Sequence, residues 1–283
     1  MTKKVKKLVV AAGGLGTRFL PITSVLPKEM FPLIDKPIIH YVLEEALVNG
    51  IEELILAISK DKQLLLDYIT NTKDENLKKI LKNIKVSVAY KNDFIGNAAG
   101  ILDAKKYIGN DPFVIVWADS FGLRKDNRIG KMIKLYKKMH QPIICLFPFF
   151  DRARYLYAVP EVEQISKDVV KVKRIFEKPG DKGPVSPYCF GNGYLLESDI
   201  IEYIEKSTRN SKGEFVLEDA VDAYCQKNLA YGMIYRKPFF ESGNKYDYAK
   251  TFVELFEYRS DLSYNQLFKD LFKNKHEKRK DSN

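Results

Sequence analysis

A chain of 283 residues, 45% hydrophobic and 30% charged, has the composition of an ordinary globular protein and enough length to bury one large α/β core or two small ones. No run approaches the roughly 18 uncharged apolar residues of a membrane span, and the apolar stretch 8–12 behind the basic start is too short for a signal peptide, so no membrane role is expected. The net charge of +10 gathers at the two ends, in Lys3, Lys4, Lys6 and Lys7 and in a basic tail over 273–283, which leaves a mildly basic body and argues against nucleic acid as a partner.

In chain order, the run 6–12 reads as a first strand, and β-branched apolar runs recur at 53–58, 85–90, 113–117, 142–147 and 169–177. Helical spacing fills 38–48, with Ile39, Val42, Leu43, Ala46 and Leu47 on one face, and then 60–70. This alternation predicts an α/β fold with a largely parallel sheet and helices on both faces. After about residue 120 the rhythm changes to a hairpin-like stretch over 157–178 and helical segments near 199–206 and 216–226. Closing helices follow at 245–258 and 263–272, with Leu255, Phe256, Leu267, Phe268, Leu271 and Phe272 as apolar positions. With no repeat and no low-complexity linker, one domain over 1–272 is expected, the tail 273–283 lying outside it. Cys145, Cys189 and Cys225 are widely spaced and odd in number; they fit small buried hydrophobes in a reducing cytoplasm.

The stretch richest in chemistry follows the first strand: Gly13-Gly14-Leu15-Gly16-Thr17-Arg18, then Pro21, Thr23 and Pro27-Lys28-Glu29-Met30. Glycines at the carboxyl end of a parallel strand let backbone amides approach a polyphosphate, and the forked Arg18 and the point charge of Lys28 suit different phosphoryl oxygens. Alone, such a turn is equally well a turn and nothing more. The spacing is neither a GxGxxG dinucleotide turn, which disfavours an NAD-dependent oxidoreductase, nor a P-loop, since GK[ST] is missing.

Extended, the stretch reads Gly14-Leu15-Gly16-Thr17-Arg18-Phe19-Leu20-Pro21-Ile22-Thr23 and Pro27-Lys28-Glu29-Met30-Phe31-Pro32. It resembles the G-x-G-T-R-x-x-P-x-T and P-K-x-x-x-P signature of the sugar-1-phosphate nucleotidyltransferase family. The continuation to Pro37 looks most like the bacterial UTP:glucose-1-phosphate uridylyltransferases within it. The resemblance runs to about Phe272 through Ala118-Asp119, Phe176-Glu177-Lys178-Pro179, Gly191-Asn192-Gly193-Tyr194, Glu214, Val216-Leu217-Glu218-Asp219-Ala220 and Glu241-Ser242-Gly243-Asn244-Lys245. It implies the Rossmann-like nucleotide-diphospho-sugar transferase fold, with a mixed, mainly parallel central sheet, a nucleotide half over about 1–120, a sugar half over about 121–243 and C-terminal helices over 244–272.

The same resemblance implies the chemistry: UTP and glucose 1-phosphate as substrates, Mg²⁺ as cofactor, and a homodimer or homotetramer. Gly13, Gly14, Leu15, Gly16, Lys91 and Gly96 would bind the nucleotide, and Glu177, Gly191 and Asn192 the sugar. Arg18, Lys28 and Lys178 would act on the phosphates, and Asp119 and Glu241 would ligate the metal. Taken singly, Asp119 could cap a turn, Glu177 and Lys178 could be a surface pair, and Glu214 could favour a helix start.

Some positions depart from the uridylyltransferase pattern. Lys91 stands where a glutamine reads uracil; a lysine donates to a carbonyl but cannot accept from the base N3–H, so the usual two-way readout is lost. Ser24 replaces a frequent lysine, Glu241 an aspartate, Val216 and Glu218 a glutamine and a threonine, and Ala158 a glycine. Two further readings stay open beside the uridylyltransferase: the same chemistry on another nucleotide or hexose phosphate, and a non-catalytic nucleotide-sugar-binding relative.

Overall fold

Residues alternate along the central strands between two apolar layers, as a period of two requires when a sheet is covered on both faces. The computed structural model describes residues 3–47, 50–93, 95–150, 153–182, 186–266 and 269. In strand β1 (Lys7–Ala11), Leu8 and Val10 enter one core and Val9 the other. Strands β2 (Glu53–Ile58), β3 (Lys85–Tyr90), β4 (Phe113–Trp117) and β5 (Ile143–Pro148) follow, and in β4 Val114 and Val116 face opposite to Phe113 and Ile115. A hairpin β6 (Val159–Ser166) and β7 (Val169–Phe176), then β8 (Tyr188–Leu196) and β9 (Tyr231–Ile234), complete a nine-stranded sheet in the order β3-β2-β1-β4-β8-β5-β9-β7-β6.

The sheet is mixed, as expected. Strands β3, β2, β1 and β4 run parallel, whereas β8 is antiparallel to both β4 and β5. The expected hairpin over 157–178 is the antiparallel pair β6–β7 at the far edge. A separate two-stranded ribbon pairs Ser120–Gly122, just beyond β4, with Phe239–Glu241.

The first face is covered by helices α1 (Ile38–Ala46), α2 (Gln63–Asn71), α3 (Glu75–Leu81) and α5 (Arg128–Met139). The opposite face is covered by α4 (Ala99–Ile108), α6 (Ile200–Lys206) and α7 (Leu217–Cys225). Helix α8 (Lys245–Glu254) ends in a short 3₁₀ turn, Leu255–Tyr258. The elements expected from the sequence stand within a few residues of their places, but α3, α4, α5 and β9 are not among them; α3 carries too short an apolar stripe to stand out. Val48, half of the helix expected over 263–272 (residues 267, 268 and 270–272) and the tail 273–283 lie outside the described residues.

One polar pair is built into the first core. The Arg128 guanidinium is fully buried; Nε and Nη2 meet Glu45 Oε1 and Oε2 at 2.6 and 2.8 Å, and Nη1 donates to the Asn192 carbonyl. It thereby joins α5 and α1 to the middle of β8. Leaving one partner of a buried ion pair without the other costs about 3–5 kcal/mol. Glu45→Ala should therefore lower the free energy of urea-induced unfolding by about that amount, with Glu45→Gln losing less because the amide still accepts a hydrogen bond.

Candidate active site

The parallel strands end in one row, and the turn after β1 lies in its middle, where an open α/β sheet offers a crevice. Gly16 sits at φ 68°, and a Cβ there would come 2.9 Å from Thr23 Cγ2, so the left-handed turn and the tight packing both call for glycine. Beneath the turn lies a buried ammonium. Lys62 Nζ donates to the carbonyls of Ala12 and Gly14 at 2.5 and 2.7 Å and to both oxygens of Glu29 at 2.8 and 2.9 Å. Burial pushes the Lys62 ammonium down and the Glu29 carboxyl up, each opposed by its partner's charge. These contacts hold the carbonyls of the turn on the side away from solvent and fix its backbone.

The next element, the 3₁₀ turn Lys28–Met30, points Lys28 across the crevice to Asp119, with Nζ 2.6 Å from Oδ2. Burial opposes the Lys28 charge, but the Asp119 and Glu29 carboxylates outweigh it and raise the ammonium above the usual lysine range. Asp119 follows β4 and is fixed through its backbone: Ser242 N and Oγ donate to its carbonyl at 2.8 and 2.7 Å. That contact sets Glu241 beside it, across from Ser120 in the ribbon.

Tyr157 donates its hydroxyl to Glu241 Oε2, and burial, reinforced by Asp119 and Asp247, pushes the Glu241 carboxyl up to about 7 against that bond. Asp119 and Glu241 thus present hard oxygen donors that repel one another. This donor set fits Mg²⁺, the metal the family typically uses.

Two cavities open from this point. One of about 400 Å³ is lined by Gly13, Gly14, Leu15, Lys28, Lys91, Gly96, Asn97, Asp103, Trp117 and Asp119 among others. The other, of about 230 Å³, is lined by Glu177, Lys178, Gly191, Asn192, Glu218 and Glu241, and shares Asn97, Trp117 and Asp119 with the first. A third cavity, larger than these two at about 730 Å³, lies behind Tyr157 and Glu241, toward α8, away from the glycine turn. The volume is greatest there, but the convergent charges are in the smaller pair.

The expected residues divide accordingly. Gly13, Gly14, Leu15, Lys91 and Gly96 share the first cavity with Lys28 and Asp119. Gly16 shapes the turn without lining any of these three cavities, and Arg18 lies on its exposed side, where Nη1 donates weakly, at 3.3 Å, to the Gly243 carbonyl. In the second cavity Lys178 bonds the adjacent Glu177 at 2.6 Å, and burial with the neighbouring Glu218 raises the Glu177 carboxyl against that contact. Asn192 lines this cavity, but its carboxamide accepts from Trp117 N at 2.9 Å and donates to Trp117 O at 3.0 Å, holding β8 to the end of β4 at the point where the pairing of β8 with β5 shifts register.

The sequence reading gave no site role to Lys62, Glu29, Tyr157, Glu218 or Asp103. Glu218 accepts from Tyr194 OH at 2.9 Å and from Asn97 Nδ2 at 2.6 Å. Gly96 stands at φ 107°, and a Cβ there would lie 2.1 Å from the Phe215 carbonyl, so the loop before α4 touches the chain that starts α7.

A glycine turn at a strand end, cations aimed into the crevice and paired carboxylates where two cavities meet define a sugar-1-phosphate nucleotidyltransferase. The chain belongs to the Nucleotidyl transferase family, whose model matches residues 7–255. It is 31% identical over 268 residues to a UTP–glucose-1-phosphate uridylyltransferase of Staphylococcus epidermidis, covering 89% of this chain and 92% of that one. It is 30% identical over 272 residues to the enzyme of that name from Streptococcus pneumoniae, covering 90% and 91%. Among solved structures it is similar to UDP-glucose pyrophosphorylase complexed with UDP-glucose, at TM-score 0.84 and 27% identity over 90% of this chain and all of that one. It is also similar to UTP-bound UGPase from Acinetobacter baumannii, at TM-score 0.81 and 25% identity over 95% and 98%.

Lys62→Met should destabilise the chain by about 3–5 kcal/mol, because Glu29 is left buried without its counter-charge. Adding Glu29→Leu should restore most of the melting temperature but not nucleotide affinity, since the carbonyls of Ala12 and Gly14 still lack their donor. Thermal melts and nucleotide titrations of the two variants check both points.

Proposed function

We propose that the chain transfers a uridylyl group from UTP to glucose 1-phosphate, giving UDP-glucose and pyrophosphate. The observation that carries this reading is the meeting of two cavities at the Lys28–Asp119 pair, which brings two anionic substrates to one charged junction. The relatives named for this reaction, and the solved structures holding UTP and UDP-glucose, support the choice of substrates.

In this mechanism a sugar phosphate oxygen attacks the α-phosphorus, the new P–O bond forms in line, and the bond to the β-phosphate breaks as pyrophosphate leaves. The nucleophile is already an anion near neutral pH, so the protein aligns and neutralises rather than removing a proton. Amides of the turn at Gly14 and Gly16 cradle the nucleotide. Lys28 exchanges its hold on Asp119 for phosphate oxygens, and Arg18, tethered only at 3.3 Å, turns to meet the departing pyrophosphate. Lys178 steers the sugar phosphate while Glu177 accepts from sugar hydroxyls. Asp119 and Glu241 would hold Mg²⁺, which supplies positive charge to both reactants when bound. Retention of this charge set weighs against a non-catalytic relative, which has no need of Lys28 and Lys178 together.

As part of the same reading, the protein works as one domain over 1–272, as a homodimer or homotetramer, in a reducing cytoplasm. Its three cysteines are all free and buried, and burial pushes the thiols of Cys145, Cys189 and Cys225 up to about 11, 12 and 12. Light scattering checks the assembly.

The deciding assay is pyrophosphate release with Mg²⁺, glucose 1-phosphate and each of UTP, dTTP, GTP, CTP and ATP. UTP should support turnover, chelation of Mg²⁺ should abolish it reversibly, and Lys28→Ala should lower kcat on the order of 10²-fold or more at an unchanged fold. A preference for another nucleotide would keep the mechanism and replace the substrate. No release with any pair, despite nucleotide-sugar binding, would leave a binding protein.

A further inference from the structure

Lys91 follows β3, the glycine turn follows β1 and Asp119 follows β4, and in the sheet these strands stand in the order β3-β2-β1-β4. At about 4.8 Å per strand the two ends of this row are roughly 14 Å apart, enough to separate a base from its triphosphate. The Lys91 stem runs past the turn, since a Cβ on Gly13 would meet Lys91 Cδ at 4.0 Å. Lys91 shares the nucleotide cavity with Asp103 of α4, which is only 9% exposed.

Asp103 is held in place by one oxygen only: Oδ1 accepts from Asn92 N at 3.0 Å and from Asn92 Nδ2 at 3.1 Å. Burial pushes its carboxyl up, while the Asn92 bonds and the charge of Lys91 draw it down. The two side chains therefore feel each other across the cavity. Among the described residues, neither Asp103 Oδ2 nor Lys91 Nζ has a hydrogen-bond or ion-pair partner. A cation and a carboxylate oxygen thus line one cavity with their polar capacity unused.

We propose that Lys91 and Asp103 together read the nucleobase edge, the ammonium donating to an exocyclic carbonyl oxygen and Asp103 Oδ2 accepting from the adjacent ring N–H. The donor and acceptor that one glutamine amide would supply are divided here between two charged side chains. The pair selects bases that place a carbonyl beside a protonated ring nitrogen, namely uracil, thymine and guanine. Cytosine and adenine would turn an amino group toward the ammonium and a bare ring nitrogen toward the carboxylate, both with the wrong sign. This rests on the assignment of the cavity to the nucleotide, and it adds the class of base that the cavity admits.

Trp117, the only tryptophan in the chain, lines this cavity, so its fluorescence reports nucleotide binding without turnover. Titrated with the Mg²⁺ complexes of UTP, GTP, CTP and ATP, the wild type should bind the first two at least tenfold tighter than the last two. Asp103→Asn can present an amide N–H to cytosine N3 and should bring the UTP-to-CTP ratio to within about threefold of unity. Lys91→Met should do the same, and it serves as the check if Asp103→Asn disturbs the Asn92 loop.

Equal binding of all four nucleotides by the wild type, or an unchanged ratio in both variants with the fold intact by circular dichroism, would overturn the inference. Discriminated binding without pyrophosphate release would instead sink the proposed reaction and leave base reading standing. Release of pyrophosphate with equal use of UTP and CTP would do the reverse.

Discussion

One buried ammonium, that of Lys62, sets the geometry on which the site depends. A glycine-rich turn is free to take many shapes, and freedom is of no use in a phosphate cradle unless something fixes it. Lys62 fixes it from below, taking the carbonyls of Ala12 and Gly14 and the carboxylate of Glu29. Because Glu29 belongs to the same 3₁₀ turn as Lys28, the contact that shapes the turn also positions the lysine that crosses the crevice. Shape and charge are therefore set by the same few atoms.

Elsewhere in the site, cations are held by neighbouring carboxylates: Lys28 by Asp119 and Lys178 by Glu177. These pairs are short yet partly open to solvent, so each is worth little as a source of stability. Their value lies in where the charges stand. In the proposed reaction an incoming phosphate would compete for each ammonium, and a carboxylate it displaces would become available to other cations. Asp119 is placed for this exchange because its position is set by its backbone, through Ser242, and not by its side chain.

The strands and helices that form the nucleotide half were legible because each carries a strict period: two in β1, β2 and β4, and about 3.6 in α1. The glycine turn and Lys28 were legible because they are contiguous in the chain. Lys62 was not, since its meaning comes from a contact with Glu29, 33 residues away, and a single lysine before a helix carries no signal. The contacts of Asp103 and Glu218 were not legible for a similar reason: each looks like an ordinary charge on a helix until tertiary packing turns it inward. The break in pairing within β8, where Asn192 grips Trp117, is also invisible to periodicity, because it comes from a register shift against the neighbouring β5.

The close approach of Gly96 to Phe215 has a practical consequence. Phe215 N donates to the Ile95 carbonyl at 2.8 Å, Leu217 N to Asn97 Oδ1 at 2.8 Å, and Asn97 Nδ2 to Glu218 at 2.6 Å. The loop that lines the first cavity is thus stitched to the start of α7, well beyond the middle of the chain. A chimera joined to a relative near residue 120 would place the two sides of this seam in different parents. Grafts that exchange nucleotide preference should carry 91–103 and 210–218 together.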